Sequence, residues 1–294
     1  MSSGSILLKI FQKCAAPGWR ATAMAKLVHR LLCSIAPRKG VALSNMENSS
    51  FPSSESWRNE ILSGVYNHIA WMLAEYLVLV DNPRQALDWV VDIEGESILQ
   101  DLFMRQKGAV ILTAHLGNWE LLAAWLCQRG YPLYAVVRDP DDSDIADLIE
   151  EYRSRVGLRT LKKRFIMKEA VRLVQSGAFL GLLADQDGGP SGISSTFLGK
   201  KCSTVNGPAA RKLFFFVYVY ISLSRAFIEL ERLGIWKVPI VPVISYRIAP
   251  FHHQIIVSPP LLLPEEGKRK ERIEAVTLTA DTVIEKMVYR HPEQ

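Results

Sequence analysis

Residues 108–127, GAVILTAHLGNWELLAAWLC, constrain this chain more than any other stretch. They open with an uncharged run, Val110-Ile111-Leu112-Thr113, that reads as a buried strand, and close with an apolar helical run from Leu121 to Leu126. Between the two lie His115, Gly117, Asn118, Trp119 and Glu120. A strand that turns directly into a helix carries such residues at its carboxyl end, where α/β sheets place their sites. If His115 precedes the helix and Glu120 falls in its first turn, the carboxylate can fold back onto the imidazole. A neutral imidazole can take a proton from a hydroxyl, and a carboxylate beside it fixes the tautomer and stabilises the imidazolium. Taken alone, H-x(4)-E is common by chance, and a single histidine after a strand is more often structural. The Gly-Asn-Trp filling favours a purposeful turn.

The remainder of the chain supplies the sheet that such a turn needs. A helix is expected from Ser56 to about Val80, ended by Asp81-Asn82-Pro83, with Tyr66 and His68 at its surface or half-buried. Residues 38–56 read as a polar loop, 87–91 as a short strand, and 96–106 as a helix. Further strands are expected at 133–137, 158–161, 179–184, 238–246 and 255–257, with helices leading up to Arg155 and over 166–176 and 274–287. Residues 197–201 read as a loop or short strand, and Asn206-Gly207-Pro208 as a helix start. Strands and helices alternating in this way give an α/β fold, a single mixed sheet flanked by helices.

Three strands then end on residues of functional type: His115, Arg138 and Asp185. Arg138 either holds an anion or oxyanion or pairs with Asp139 or Asp141. Asp185 and Asp187 can ligate a metal, orient a catalytic base, or simply form the turn before Gly188-Gly189-Pro190. The basic clusters Lys162-Lys163-Arg164 and Lys200-Lys201 are solvated charges or the rim of an anionic site. Lys268 to Arg272 reads as a solvated helix start.

Composition narrows the partners. The 294-residue chain has a net charge of +5 and is 49% hydrophobic. That basic excess suits an anionic surface or ligand. Residues 1–36 carry Lys9, Lys13, Arg20, Lys26, His29 and Arg30 among apolar residues and no acid, the pattern of basic amphipathic helices lying on a membrane. No uninterrupted apolar run reaches 18 residues, so no membrane-spanning helix is demanded. Cys14, Cys33, Cys127 and Cys202 show neither zinc nor disulfide spacing. There is no G-x-S-x-G nucleophile motif and no H-E-x-x-H zinc motif, so the activated nucleophile belongs to the substrate.

These residues resemble the bacterial lipid A (Kdo2-lipid A) late acyltransferases of the lysophospholipid acyltransferase superfamily. The likeness rests on TAHLGNWELL at 113–122, VVRDPDDSDIADLIEEYRSRVG at 136–157, LADQDGGPSGISSTFLGKKCSTVNGPA at 183–209, VPIVPVISYR at 238–247 and the closing HPEQ. It implies a glycerol-phosphate-acyltransferase-like domain over 57–294, preceded by a membrane-associating helical segment and linker over 1–56. It also implies transfer of an acyl chain from acyl carrier protein to a hydroxyl of a lipid A precursor at the cytoplasmic face of a bacterial inner membrane. In that comparison His115 is the general base, oriented by Glu120. Arg138, Arg164, Asp185 and Asn118 then serve the oxyanion or the acceptor, and neither metal, cofactor nor nucleic acid is implied. Two departures stand out. Residues 213–237, with their aromatic run, are extra to the family pattern. The family also continues past HPEQ into a Trp- and Arg-containing tail, so a terminal element associated with the acceptor is expected to be missing here. Two other classes fit the same residues: a thioesterase that uses the dyad on water, and a non-catalytic lipid-binding protein.

Overall fold

The structure, a computed structural model, describes residues 18–52, 54–136, 143–161, 166–183, 185, 193–204, 238–264 and 266–294. Arg138, Arg164, Asp187, the first seventeen residues and the 213–237 insertion lie outside these.

A seven-stranded sheet forms the centre. Its strands are β1 (Val90–Glu94), β2 (Ala109–Thr113), β3 (Leu133–Val136), β4 (Arg159–Leu161), β5 (Phe179–Leu183), β8 (Ile240–Ala249) and β9 (His252–Val257), in the order β1-β9-β8-β2-β5-β3-β4. Pairing is parallel except between β8 and β9, which form an antiparallel hairpin, so the sheet is mixed. A separate hairpin, β6 (Ile193–Phe197) and β7 (Lys200–Thr204), turns at Leu198-Gly199 with both φ angles positive, as a tight hairpin requires. The loop-or-strand alternative at 197–201 is thereby settled as a turn between two strands.

The helices are α1 (Trp19–Ile35), α2 (Lys39–Glu47), α3 (Glu55–Asp81), α4 (Gln85–Trp89), α5 (Glu96–Met104), α6 (Trp119–Gln128), α7 (Ser143–Val156), α8 (Ile166–Gln175) and α9 (Arg269–Arg290). The centre of the core lies between β2 and α6. Every residue of β2 is buried, as is the α6 run from Glu120 to Leu126. Each buried Val, Leu or Ile side chain contributes about 1.5–3 kcal/mol, so this pairing fixes the strand–turn–helix unit firmly. Helices α3, α4 and α7 pack against α6 and enclose it.

Four expectations need correction. Residues 39–47 form α2 rather than a loop: the left-handed Ala36 and Arg38 reverse the chain and lay the segment along α3. Residues 85–89 form a helical turn packed on α6, with Ala86 and Trp89 both buried and the Trp89 ring against Phe251; the strand begins only at Val90. Tyr66 and His68 are buried rather than superficial, since α3 is packed on several sides. The helix cap is Ser54, whose hydroxyl accepts from the Trp57 amide, not Ser56.

Candidate active site at the end of β2

Strand register alone brings His115 and Asp185 together. β2 and β5 are neighbours in parallel, with Thr113 opposite Leu183. His115 and Asp185 each follow two residues later, so they emerge side by side at the carboxyl edge of the sheet. The Asp185 carboxylate then grips His115 twice. Oδ2 accepts from the His115 backbone N–H and Oδ1 accepts from the ring Nδ1, both at 2.9 Å. With Nδ1–H committed to a carboxylate, the neutral ring presents its Nε2 lone pair outward.

Both side chains are partly open to solvent, at 20% for His115 and 23% for Asp185. Burial pulls the histidine pKa down, but the charge and hydrogen bond of Asp185 outweigh it, and Glu120 adds to them. The net direction is upward from 6.5. Burial pushes the Asp185 carboxyl up, yet the charge and hydrogen bonds of His115 hold it below its ordinary value. The Trp119 ring meets the imidazole edge-on, with centroids 4.9 Å apart, and limits its tilt.

The carboxylate bonded to the ring Nδ1 is that of Asp185, whereas Glu120 was expected to orient the imidazole. Glu120 is buried in the first turn of α6, where its charge still reaches His115 and its carbonyl accepts from the Tyr152 hydroxyl. Asn118, expected to serve the oxyanion or substrate, points inward. Its Oδ1 caps α6 by accepting from Leu121 N–H, and its Nδ2 donates to Glu75 Oε2 at 2.7 Å. The need for Gly117 is steric. Its φ is +64°, and a Cβ there would lie 1.9 Å from the Ser245 carbonyl oxygen.

Beside the dyad, β2, β3, β5 and α6 line an apolar cleft that is half open, with about 380 Å³ of empty space counting the solvent at its mouth. Ile111, Leu122, Leu126, Leu133, Gly181 and Leu183 line it. Thr113 Oγ1 and Trp119 Nε1 are buried in the same wall without a hydrogen-bond partner among the described residues. An apolar slot with two buried, unpartnered polar atoms in its wall has the chemistry of a site for a largely apolar group. Among the described residues, no three His, Cys, Asp or Glu side chains are placed to hold a metal ion.

The sequence gives no sign that four further residues, His68, Glu75, Arg247 and His253, meet. They form one buried polar cluster beneath the His115 turn. A signal existed for Glu75 alone. Glu75 is the single charge within the apolar run WMLAEYLVLV, and an acid in such a run is buried only with a partner.

Comparison with known proteins shows the family. The model of the bacterial lipid A biosynthesis acyltransferases matches residues 15–213. A phosphatidylinositol mannoside acyltransferase of Mycolicibacterium smegmatis is 27% identical over 145 residues, 47% of this chain and 46% of that protein. The chain thus spans about half the length of this curated relative. The family match covers most of the sheet as well as the His115 turn, and the chain belongs to the bacterial lipid A biosynthesis acyltransferase family.

Proposed function

We propose that this protein transfers an acyl chain to a hydroxyl of a membrane glycolipid, with His115 as general base and Asp185 as the group that orients it. The observation that carries the reading is the double grip of Asp185 on His115, which leaves Nε2 as the one ring position open to substrate. Nε2 removes the acceptor's hydroxyl proton as the oxygen attacks the acyl carbonyl. The tetrahedral intermediate collapses, the donor's thiolate leaves, and the imidazolium returns the proton to it. The apolar cavity next to Trp119 is the place for the alkyl chain. Arg138 and Arg164 are our candidates for charge stabilisation at the oxyanion or at acceptor phosphates.

The acceptor class follows from the family's name and the relative's, both of which denote glycolipids; we assign a lipid A precursor as acceptor and acyl carrier protein as donor. Helix α1 supports a membrane-surface location. Ala21, Met24 and Ala25 pack inward, while Trp19, Leu27, Leu31 and Ile35 are exposed among Arg20, Lys26 and Arg30. An apolar stripe flanked by cations suits an anionic bilayer. No helix among the described residues is long and apolar enough to cross one.

The test uses the full chain, acyl carrier thioester and vesicles containing the glycolipid, read by mass spectrometry. The expected product is the glycolipid plus one acyl group. Equal release of free fatty acid with and without acceptor would identify a thioesterase instead, and vesicle binding with no turnover would leave a lipid-binding protein.

A further inference from the structure

Directly beneath the His115 turn, α3 meets the β8–β9 hairpin through a cluster of charged and polar side chains. Glu75 of α3 is fully buried. Its carboxylate accepts from Arg247 Nε at 3.0 Å and Nη2 at 2.6 Å, from His253 Nε2 at 3.1 Å, from the Phe251 amide at 3.3 Å and from Asn118 Nδ2 at 2.7 Å. Two turns earlier on α3, His68 lies between Arg247 and the active-site turn. Its Nδ1 is 2.5 Å from Arg247 Nη1 and its Nε2 is 3.0 Å from the Gly117 carbonyl. A guanidinium only donates, so Nδ1 accepts and Nε2–H donates to Gly117. Burial and the neighbouring Arg247 cation lower the His68 pKa to about 3, which keeps the ring neutral and this tautomer in place. From the other side, the Gln294 side chain accepts from the Arg247 amide at 2.8 Å and donates to its carbonyl at 2.9 Å.

The cluster's bonds to the rest of the site converge on two consecutive residues, Gly117 and Asn118, immediately after His115 and Leu116. The Asn118 amide also donates to the Ser245 carbonyl, two residues before Arg247 on β8. A buried ion pair is not needed for stability, because apolar residues of the same volume serve as well. What it supplies here is direction: fixed donors and acceptors that hold the turn at one height and one rotation. We propose that Glu75, Arg247 and His68 are positioning residues for the reaction, setting the Gly117–Asn118 turn so that His115 Nε2 faces the acceptor hydroxyl. This rests on His115 being the general base.

The test compares His68→Leu, which removes both of its hydrogen bonds, with His68→Gln, whose amide can donate to Gly117 and accept from Arg247. Two readouts are taken on the full chain: kcat and KM with acyl carrier thioester and glycolipid vesicles, and the NMR ring signals of His115 without substrate. His68→Leu is expected to lower kcat about 10- to 100-fold with KM within about threefold, as displacement of a catalytic group does. His68→Gln is expected to recover kcat to within about fivefold of wild type. The His115 signals should move in the leucine variant and return in the glutamine variant. A folded His68→Leu protein with kcat within about twofold of wild type and unmoved His115 signals would overturn the proposal. If His68→Leu does not fold, Arg247→Lys takes its place, with the same expected and overturning results. Should wild type transfer no acyl group at all, the functional reading fails, and the substrate-free signals still decide the positioning.

Discussion

The molecule contains two histidine–carboxylate clusters a few residues apart, and their chemistry diverges because of what else each carboxylate holds. Among the described residues Asp185 holds His115; both are partly solvated, and the imidazole pKa is raised. Glu75 is closed off from water, neutralised by Arg247, and shared among five donors. Its neighbour His68 is pushed down to about 3. The same pair of side-chain types yields an imidazole open to proton exchange in one place and a fixed hydrogen-bond frame in the other. Solvent access and the presence of a competing cation make the difference.

The largest contrast comes from deleting one member of each cluster. His115→Ala should leave thermal unfolding nearly unchanged while reducing acyl transfer by about 10²–10⁴-fold, the usual share of a general base. Glu75→Ala leaves Arg247 buried without its counter-charge and should cost about 3–5 kcal/mol of stability, measured by denaturant unfolding. If His115→Ala unfolds the protein, or Glu75→Ala leaves stability intact, the division between the clusters collapses.

Much of the first cluster was legible in the sequence and almost none of the second. The strand–turn–helix around His115 was readable because β2 is a continuous apolar run and α6 is uniformly apolar after Glu120. Asp185 was visible as a strand end with several possible uses. Its grip on His115 depends on β2 and β5 being neighbours in register, and strand order is not written in local pattern. Glu120 looked like the natural partner because it is close in sequence, yet the helix directs it inward. The Glu75 cluster joins residues separated by more than 170 positions, through an antiparallel hairpin that periodicity alone does not place beside α3. Helix α2 reads as a loop in the sequence because Gly40, Ser44 and Asn45 are poor helix formers, and packing on α3 overrides that preference.

Asp185→Asn separates charge from shape. The asparagine amide would donate to Nδ1 or leave it unbonded, which places the ring proton on Nε2, the wrong nitrogen for a base. Burial is the largest single influence on His115; with the charge and hydrogen bond of Asp185 gone it is opposed only by the weaker Glu120 charge, so the pKa should fall below 6.5. In wild type the base must be neutral, so kcat/KM should rise with pH through a midpoint above 6.5. In the variant the residual rate should be lower, and its midpoint should fall below that value. A midpoint unmoved by the substitution would detach Asp185 from the chemistry.

The two histidines should also respond to pH with opposite signs. His115 has a raised pKa in the folded protein, so its contribution to stability is full below 6.5 and fades as pH rises through the folded value. His68 has a lowered pKa, so folding favours its neutral form; stability is full above 6.5 and is lost as pH falls toward about 3. Denaturant unfolding across that acid range should therefore show a steeper loss in wild type than in His68→Gln, where nothing titrates at this position. An identical acid limb in both proteins would mean that His68 is not held neutral by its surroundings.

Glu120→Gln tests the boundary between the two clusters and should give the smallest change. Glu120 is buried like Glu75, but its charge acts on His115 like that of Asp185, third in strength after that residue's charge and hydrogen bond. Neutralising it should lower the His115 midpoint in the same direction as Asp185→Asn and by less, because the Nδ1 hydrogen bond and the nearer charge both persist. NMR titration of the His115 ring in the substrate-free protein measures this without relying on turnover. A shift as large as that of Asp185→Asn would show that proximity in sequence was the better guide, with Glu120 sharing the orienting role on equal terms.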